Sequence, residues 1–254
     1  MADYVVSLST EIDLSRRADL ASNPEQMDQP CAYADLRECL LDIAEINRLT
    51  FAYRPTLHWL NHVHAVLPRL GRPLQILDVG CGYGDGLRRI RRWAFEKNLP
   101  VVLTGIDRNP QAIRAARKAT HPGENITFLE GDIFSYEQEA GVDIVVSSLL
   151  THHFEDPQIV RFLDWMESNA RLGWFVNDLH RQQRAYTVFR LASRFMGWHR
   201  FVKHDGAVSI LRSFRAEDWR RLATEAALSP DTYQIREYRP ARLCVARVKL
   251  ARLR

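Results

Sequence analysis

Directly behind the apolar run ILDV, residues 76–79, glycine stands at every second position: Gly80, Gly82, Gly84 and Gly86. No other stretch restricts so sharply what this chain can fold into. Glycines break a strand, and without a Cβ they let the backbone turn tightly and come close to a partner. Upstream, LQILDV (74–79) is almost wholly apolar, and downstream Leu87, Ile90 and Ala94 recur at helical spacing. A glycine-rich turn between a buried strand and a helix opens a βα unit. Its backbone N–H groups then face a ligand beyond the carboxyl end of the strand.

The units that follow keep the alternation. VVLTGID (101–107) predicts a second strand, and NPQAIRAARKA (109–119) a helix with Asn109 as N-cap and Pro110 at its first position. NITFLEGD (125–132) predicts a third strand and VDIVVSSLL (142–150) a fourth. A helix follows through Ile159, Phe162, Leu163 and Met166, then the strand RLGWFVND (171–178). Nearly continuous apolar strands between helices imply a parallel sheet covered on both faces. Ahead of it, Leu36, Leu40, Ile43 and Asn47 share one helical stripe, Pro55 opens a second helix, and GRP (71–73) ends the pattern. Behind it come a helix near 184–196, a polar loop, the helix RAEDWRRLATEAAL (215–228) and two strands around Pro240. The expected outline is a helical cap over 1–72 and an α/β domain over 73–254 with a helical insert near 182–214.

Composition narrows the partners. A formal charge of +4 is too small to imply nucleic acid by itself. Arginines and lysines from Arg236 to Arg254 (Arg236, Arg239, Arg242, Arg247, Lys249, Arg252, Arg254) fall at strand spacing and predict a solvated strand face. Cys31, Cys39, Cys81 and Cys244 stand at unrelated spacings, as reduced thiols of a cytoplasmic protein do. No apolar run reaches membrane-spanning length, and MADYVVSLSTEIDLSRR lacks the apolar core of a secretion signal. The sequence leaves the oligomeric state open.

The glycine turn is neither of two common phosphate-binding turns. No Gly-Lys-Ser/Thr follows it, and each frame of G-x-G-x-x-G fails, with Asp85, Leu87 or Arg89 at the last position. What stands there is D-x-G-x-G-x-G, Asp78 to Gly84. In this the chain resembles the class I S-adenosylmethionine-dependent methyltransferases, whose first motif has this form. Further stations fall in the family's order: LTGID ending in Asp107, FLEGDI with Asp132 and Ile133, and VDIVVSSLLTHHF at the fourth strand. The resemblance implies an open, doubly wound, mostly parallel Rossmann-like α/β sheet with a terminal antiparallel strand. It also implies S-adenosylmethionine as cofactor. Asp107 would hold the ribose hydroxyls, Asp132 the adenine amino group, and Ile133 would flank the ring. Asp78, Gly80, Cys81, Gly82, Arg108 and Ser148 complete the implied cofactor site.

The fourth strand also bears on the acceptor. Amino-directed nucleic-acid enzymes of this superfamily carry Asp/Asn-Pro-Pro-Tyr/Phe there, whereas this chain has Ser147-Ser148-Leu149-Leu150. The catechol enzymes hold Mg²⁺ with acids at that strand end. Ser147 and Ser148 cannot replace those acids, so transfer without a metal is expected. THHFED (151–156) instead resembles the branch acting on small molecules and quinols, and NDLHR (177–181) ends the fifth strand. The expected reaction is O-methylation of a phenolic hydroxyl on a small aromatic or polyketide-derived acceptor. RNA modification and C-methylation of a quinol are the alternatives, as is cofactor binding without catalysis. A phenol of pKa about 10 is protonated at neutral pH, so a neutral imidazole is the expected base. His152, His153 and His180 are the candidates, with one of the adjacent pair expected to face the acceptor. Arg181 and His204 are the expected substrate contacts.

Overall fold

The computed structural model describes residues 13–67, 70–136 and 141–249. Eight α-helices and seven strands lie among the described residues, in an order close to that read from the sequence. The chain begins with α1 (Tyr33–Leu49) and α2 (Arg54–Val66), then runs β1 (Leu74–Val79), α3 (Asp85–Glu96), β2 (Val101–Asp107) and α4 (Pro110–Ala119). It continues through β3 (Ile126–Glu130), β4 (Val142–Ser148), α5 (Asp156–Asn169) and β5 (Ala170–Leu179). The helices α6 (Gln183–Phe195), α7 (Arg200–Arg212) and α8 (Ala216–Glu225) precede β6 (Gln234–Tyr238) and β7 (Arg242–Val248).

The strands form one sheet in the order β3-β2-β1-β4-β5-β7-β6. The first five are parallel, and β7 enters antiparallel between β5 and β6. Chain order reverses between β1 and β4. In an open α/β sheet this switch point is where the loops diverge and leave a crevice. Strand alternation divides the core into two layers. Leu77, Val79, Val145, Trp174 and Val176 pack with α5 and α8 on one face, through Phe162, Met166, Trp219 and Leu222. Leu74, Ile76, Leu103, Ile144 and Phe175 pack on the other with α2, α3 and α4, through Leu60, Ile90 and Ile113. Among the described residues no helix is long and apolar enough to cross a membrane.

Local chemistry explains where the elements start. Asn109 caps α4 by accepting the N–H groups of Gln111 and Ala112. Asp143 is buried at the start of β4 and takes both guanidinium arms of Arg72, at 2.6 and 2.7 Å, which ties the GRP turn to the sheet.

Two expectations are corrected. The polar loop expected after α6 is the helix α7. Its Phe201, Val202, Asp205, Ala207, Val208, Ser209, Ile210 and Arg212 are all buried, so no polar face alternates with an apolar one. The basic end of the chain is not uniformly solvated: Arg236 and Arg239 are exposed, but Arg242 and Lys249 are buried. Arg252 and Arg254 lie outside the described residues.

Candidate functional site

A cavity of about 810 Å³ opens at the carboxyl ends of β1, β2 and β4. Its walls include Asp78, Gly80, Cys81, Gly82, Asp107, Arg108, Asp132, Ile133, Ser148, His152 and His153, all singled out in the sequence. The size is in the upper range for a small-molecule site, which is typically about 300–1,000 Å³.

The glycines serve different ends. Gly84 has φ 73°, and a Cβ there would lie 2.6 Å from the Phe128 ring, so this glycine is required by packing. Gly82 also has positive φ, 49°, but a Cβ would meet nothing within 4 Å. Its missing side chain leaves open space in the cavity wall, as a surface shaped to receive a ligand does.

Two carboxyls, Asp78 and Asp107, sit beside this space, and among the described residues neither forms an ion pair. Burial, and then the charge of Asp107, pushes the Asp78 carboxyl up to about 8. Burial raises Asp107 as well, although its oxygens accept the N–H groups of Asn109 and Gly82, each at 2.9 Å. Asp132 caps a short 3-10 turn through Phe134 N–H at 3.0 Å, and the exposed Arg108 guanidinium stands 3.9 Å from it. Unneutralised buried carboxylates are unfavourable, so this end of the cavity suits a ligand carrying positive charge. S-adenosylmethionine, a sulfonium with an ammonium and two ribose hydroxyls, fits that chemistry and the space at Gly82.

The other end is built on histidines. Residues Thr151–His153 form one 3-10 turn after β4. Successive side chains on such a turn are about 120° apart, not opposite as on a strand. Both imidazoles therefore line the cavity, with ring centroids 4.4 Å apart, which corrects the expectation that one of them faces away. His152 Nδ1 lies 2.7 Å from Oδ1 of the buried Asp178. Asp178 Oδ2 also accepts the Thr151 hydroxyl at 2.5 Å and the His152 backbone N–H at 3.1 Å. Burial opposes ionisation of Asp178, but His152 and these hydrogen bonds outweigh it and hold the carboxyl well below the usual range. An ionised carboxylate only accepts, so His152 donates from Nδ1 and presents Nε2 to the cavity.

His153 repeats the arrangement. Its Nδ1 lies 3.0 Å from Asp28 Oδ2, and its Nε2 stands 3.7 Å from Glu25 Oε2. His152 Nε2 is likewise 3.7 Å from Glu25 Oε1. Burial disfavours charge on His153, yet Glu25 and Asp28 together raise its pKa to about 9. Glu25 is only 2% exposed. It accepts the Ser209 hydroxyl at 2.9 Å and faces Arg212 Nη1 at 3.4 Å. Asp205 of α7 accepts the backbone N–H groups of Gln26 and Met27, which fixes the turn carrying Glu25.

Three expected site residues are not among those lining this cavity. His180 is drawn to Gln182, whose side chain lies 2.6 Å from its Nδ1, and to Glu237 at 3.7 Å. Burial lowers its pKa. Arg181 is fully buried in a structural role, paired with Asp218 at 3.0 Å and donating to the carbonyls of Leu14 and Ser213. His204 bonds Asp205 at 2.8 Å from the outer side of α7, and Asp205 is the one that reaches the cavity.

Sequence reading missed Glu25, Asp28, Asp178, Arg212 and Arg242. A carboxylate ending an apolar strand was a signal for Asp178, because burial demands a partner. Glu25 and Asp28 carried no local signal; α7 brings them in from far along the chain. Arg242 opens β7, lines the cavity and donates to Asn47 Oδ1 at 3.1 Å. Its Nη1 is buried with no hydrogen-bond partner among the described residues.

Residues 76–173 match a family model described as a methyltransferase domain. No curated protein is similar enough in sequence to match. Among solved structures, the plantazolicin methyltransferase BpumL in complex with a triazolic desmethylPZN analog and SAH is similar, at TM-score 0.62 and 18% identity. The match covers 83% of this chain and 89% of that one. Magnesium protoporphyrin IX methyltransferase (ChlM) from Synechocystis PCC 6803 with bound SAH aligns at TM-score 0.52 and 14% identity, over 78% of this chain and 81% of that one. The citrinin polyketide synthase CMeT domain aligns at TM-score 0.56 and 16% identity, over 77% of this chain and 52% of that one. At these identities the likeness establishes the fold.

Proposed function

Starting from a chain whose residues 76–173 match a methyltransferase domain, we propose that it transfers the methyl of S-adenosylmethionine to a hydroxyl of a small aromatic or polyketide-derived acceptor. One observation carries this reading. A single cavity has the cation-seeking carboxyls Asp78 and Asp107 at one end and the oriented His152–Asp178 pair at the other. S-adenosylmethionine supplies an electrophilic methyl to whatever lies between the two ends.

The chain's own residues then have three tasks. Asp78 and Asp107 receive the positively charged cofactor, with Gly82 leaving room for it. The cavity wall holds the acceptor oxygen near the methyl, and such positioning contributes several kcal/mol to a displacement. His152 Nε2 takes the hydroxyl proton while Asp178 stabilises the imidazolium from Nδ1. The acceptor oxygen bonds to the methyl carbon as the carbon–sulfur bond breaks, and the electron pair returns to sulfur. The unpaired Nη1 of Arg242 favours a carboxylate as a further binding group, on the acceptor or on the cofactor.

The small-acceptor reading draws support from the enzymes similar in fold, whose named substrates are plantazolicin and magnesium protoporphyrin. Transfer of labelled methyl to panels of phenols, quinols, hydroxypyrones and total RNA tests it. Label in a phenolic ether is expected. Label confined to RNA, or to ring carbon of a quinol, would replace it with that activity.

A further inference from the structure

We infer that Glu25, His152 and His153 bind a divalent transition ion of the Zn²⁺ type. The sequence alone points to transfer without a metal, because Ser147 and Ser148 stand where the catechol enzymes carry acids. The folded chain brings Glu25, from far along the sequence, to two histidines in the loop that follows those serines.

Geometry is the first argument. Glu25 Oε1 to His152 Nε2 and Glu25 Oε2 to His153 Nε2 are both 3.7 Å. Those separations are too long for hydrogen bonds and close to the ligand–ligand spacing around an ion. Tetrahedral zinc with bonds of about 2.1 Å needs ligands about 3.4 Å apart. One atom from each residue can be chosen so that all three lie within 4.8 Å of one another, so side-chain adjustments of up to about 1 Å close the site to that spacing.

The second argument is the outer layer. A histidine that binds a metal through one nitrogen usually gives its other N–H to a carboxylate, which fixes the ring and raises its basicity. Both rings do this here: His152 Nδ1 to Asp178 at 2.7 Å and His153 Nδ1 to Asp28 at 3.0 Å. Two such pairs presenting both Nε2 atoms to one carboxylate amount to a site, not a chance cluster of polar side chains. Glu25 is held in turn by Ser209 and Arg212, as ligating carboxylates are.

Charge is the third. Glu25, Asp28 and Asp178 carry three negative charges, and Arg212 is the guanidinium among them. Ligation requires both imidazoles deprotonated; two negative charges then remain, which a divalent ion balances in exchange for the proton that Glu25 and Asp28 hold on His153. Two imidazoles and a carboxylate suit Zn²⁺ or Co²⁺ better than Mg²⁺, which prefers oxygen. Three protein ligands leave a fourth position open to the cavity. The chemical consequence rests on the function proposed above and, with the ion bound, replaces His152 as base, because its Nε2 is then a ligand: an acceptor hydroxyl in the fourth position releases its proton to water and presents an anionic oxygen to the methyl.

The test reads metal binding directly. Purified full-length protein is stripped with chelator, titrated with Zn²⁺ or Co²⁺, and assayed for ion content and for the Co²⁺ visible spectrum. One ion per chain is expected, with the intense visible band of four-coordinate Co²⁺. His153→Ala and Glu25→Gln should weaken it at least about 100-fold, and Asp28→Asn about 10–100-fold. Glu25→Gln keeps the shape of the side chain, and S-adenosylmethionine binding by each variant reports that it is folded. Wild type that binds no more tightly than these variants, or that shows only the pale spectrum of hydrated Co²⁺, overturns the site. Methylation by chelator-stripped protein would remove the ion's chemical role while leaving the proposed function intact.

Discussion

Asp78 and Asp178 are the same residue type, both buried near the carboxyl ends of strands in one sheet, and their carboxyls are driven in opposite directions. Asp78 is pushed up to about 8 because burial and Asp107 both disfavour its charge. Asp178 is held well below the usual range because His152, Thr151 and backbone N–H groups receive its charge. Burial is common to both, so the partners decide. At β5 the chain supplies the partner itself and the pair is complete. At β1 it supplies a second acid, and the missing positive charge must come from a ligand. One end of the cavity is thus finished machinery and the other is a receptor.

The finished end carries the largest expected effect. His152→Ala should lower kcat for methyl transfer by about 10²–10⁴-fold and leave cofactor affinity unchanged. A loss of cofactor binding instead would place His152 at the receptor end and erase the distinction. Next comes Gly82→Val, which puts a β-branched side chain at positive φ into the space kept for the ligand. Calorimetry should show cofactor affinity reduced by more than about 100-fold with the fold retained by circular dichroism. Normal binding would mean that this glycine, like Gly84, serves only the turn. A smaller loss, roughly 1.5–3 kcal/mol of cofactor affinity, is expected for Asp107→Ala, which removes the carboxylate expected to hold the ribose hydroxyls. Full affinity in that variant would break the receptor account at β2. Smallest of all, His180→Ala should change kcat and KM by no more than about threefold, because its ring faces Gln182 and Glu237. A hundredfold fall in kcat would bring the histidine that follows β5 back into the site.

The receptor end was readable in the sequence and the finished end largely was not, for a physical reason. Gly80, Gly82, Asp107 and Asp132 sit in short turns fixed by their own βα units, so local pattern and position along the chain coincide. The sheet was legible in the same way, since continuous apolar strands between amphipathic helices admit few arrangements. The histidine end joins Glu25, Asp28, His152, Asp178 and Arg212, which meet only after α7 packs across the chain start. His152 and His153 were found, but their shared direction depends on a 3-10 turn that the sequence does not announce. His180 was misplaced because its neighbours Gln182 and Glu237 compete for the ring, and Glu237 comes from the late strand β6.

The most direct test of the contrast is the proton balance of cofactor binding. Burial and Asp107 push the Asp78 carboxyl up to about 8, so below that pH it is expected mostly protonated and must ionise to receive a cation. Binding of S-adenosylmethionine should therefore release close to one proton per chain between pH 6 and 7, below the range in which the cofactor's own amino group titrates, about 7.7–8.0. Affinity should rise about tenfold over that unit of pH. Calorimetry in two buffers of different ionisation enthalpy measures the release, and Asp78→Asn should abolish most of it. Equal heats in both buffers, with affinity flat from pH 6 to 7, would show that Asp78 does not ionise on binding and that this end of the cavity is not waiting for a positive charge.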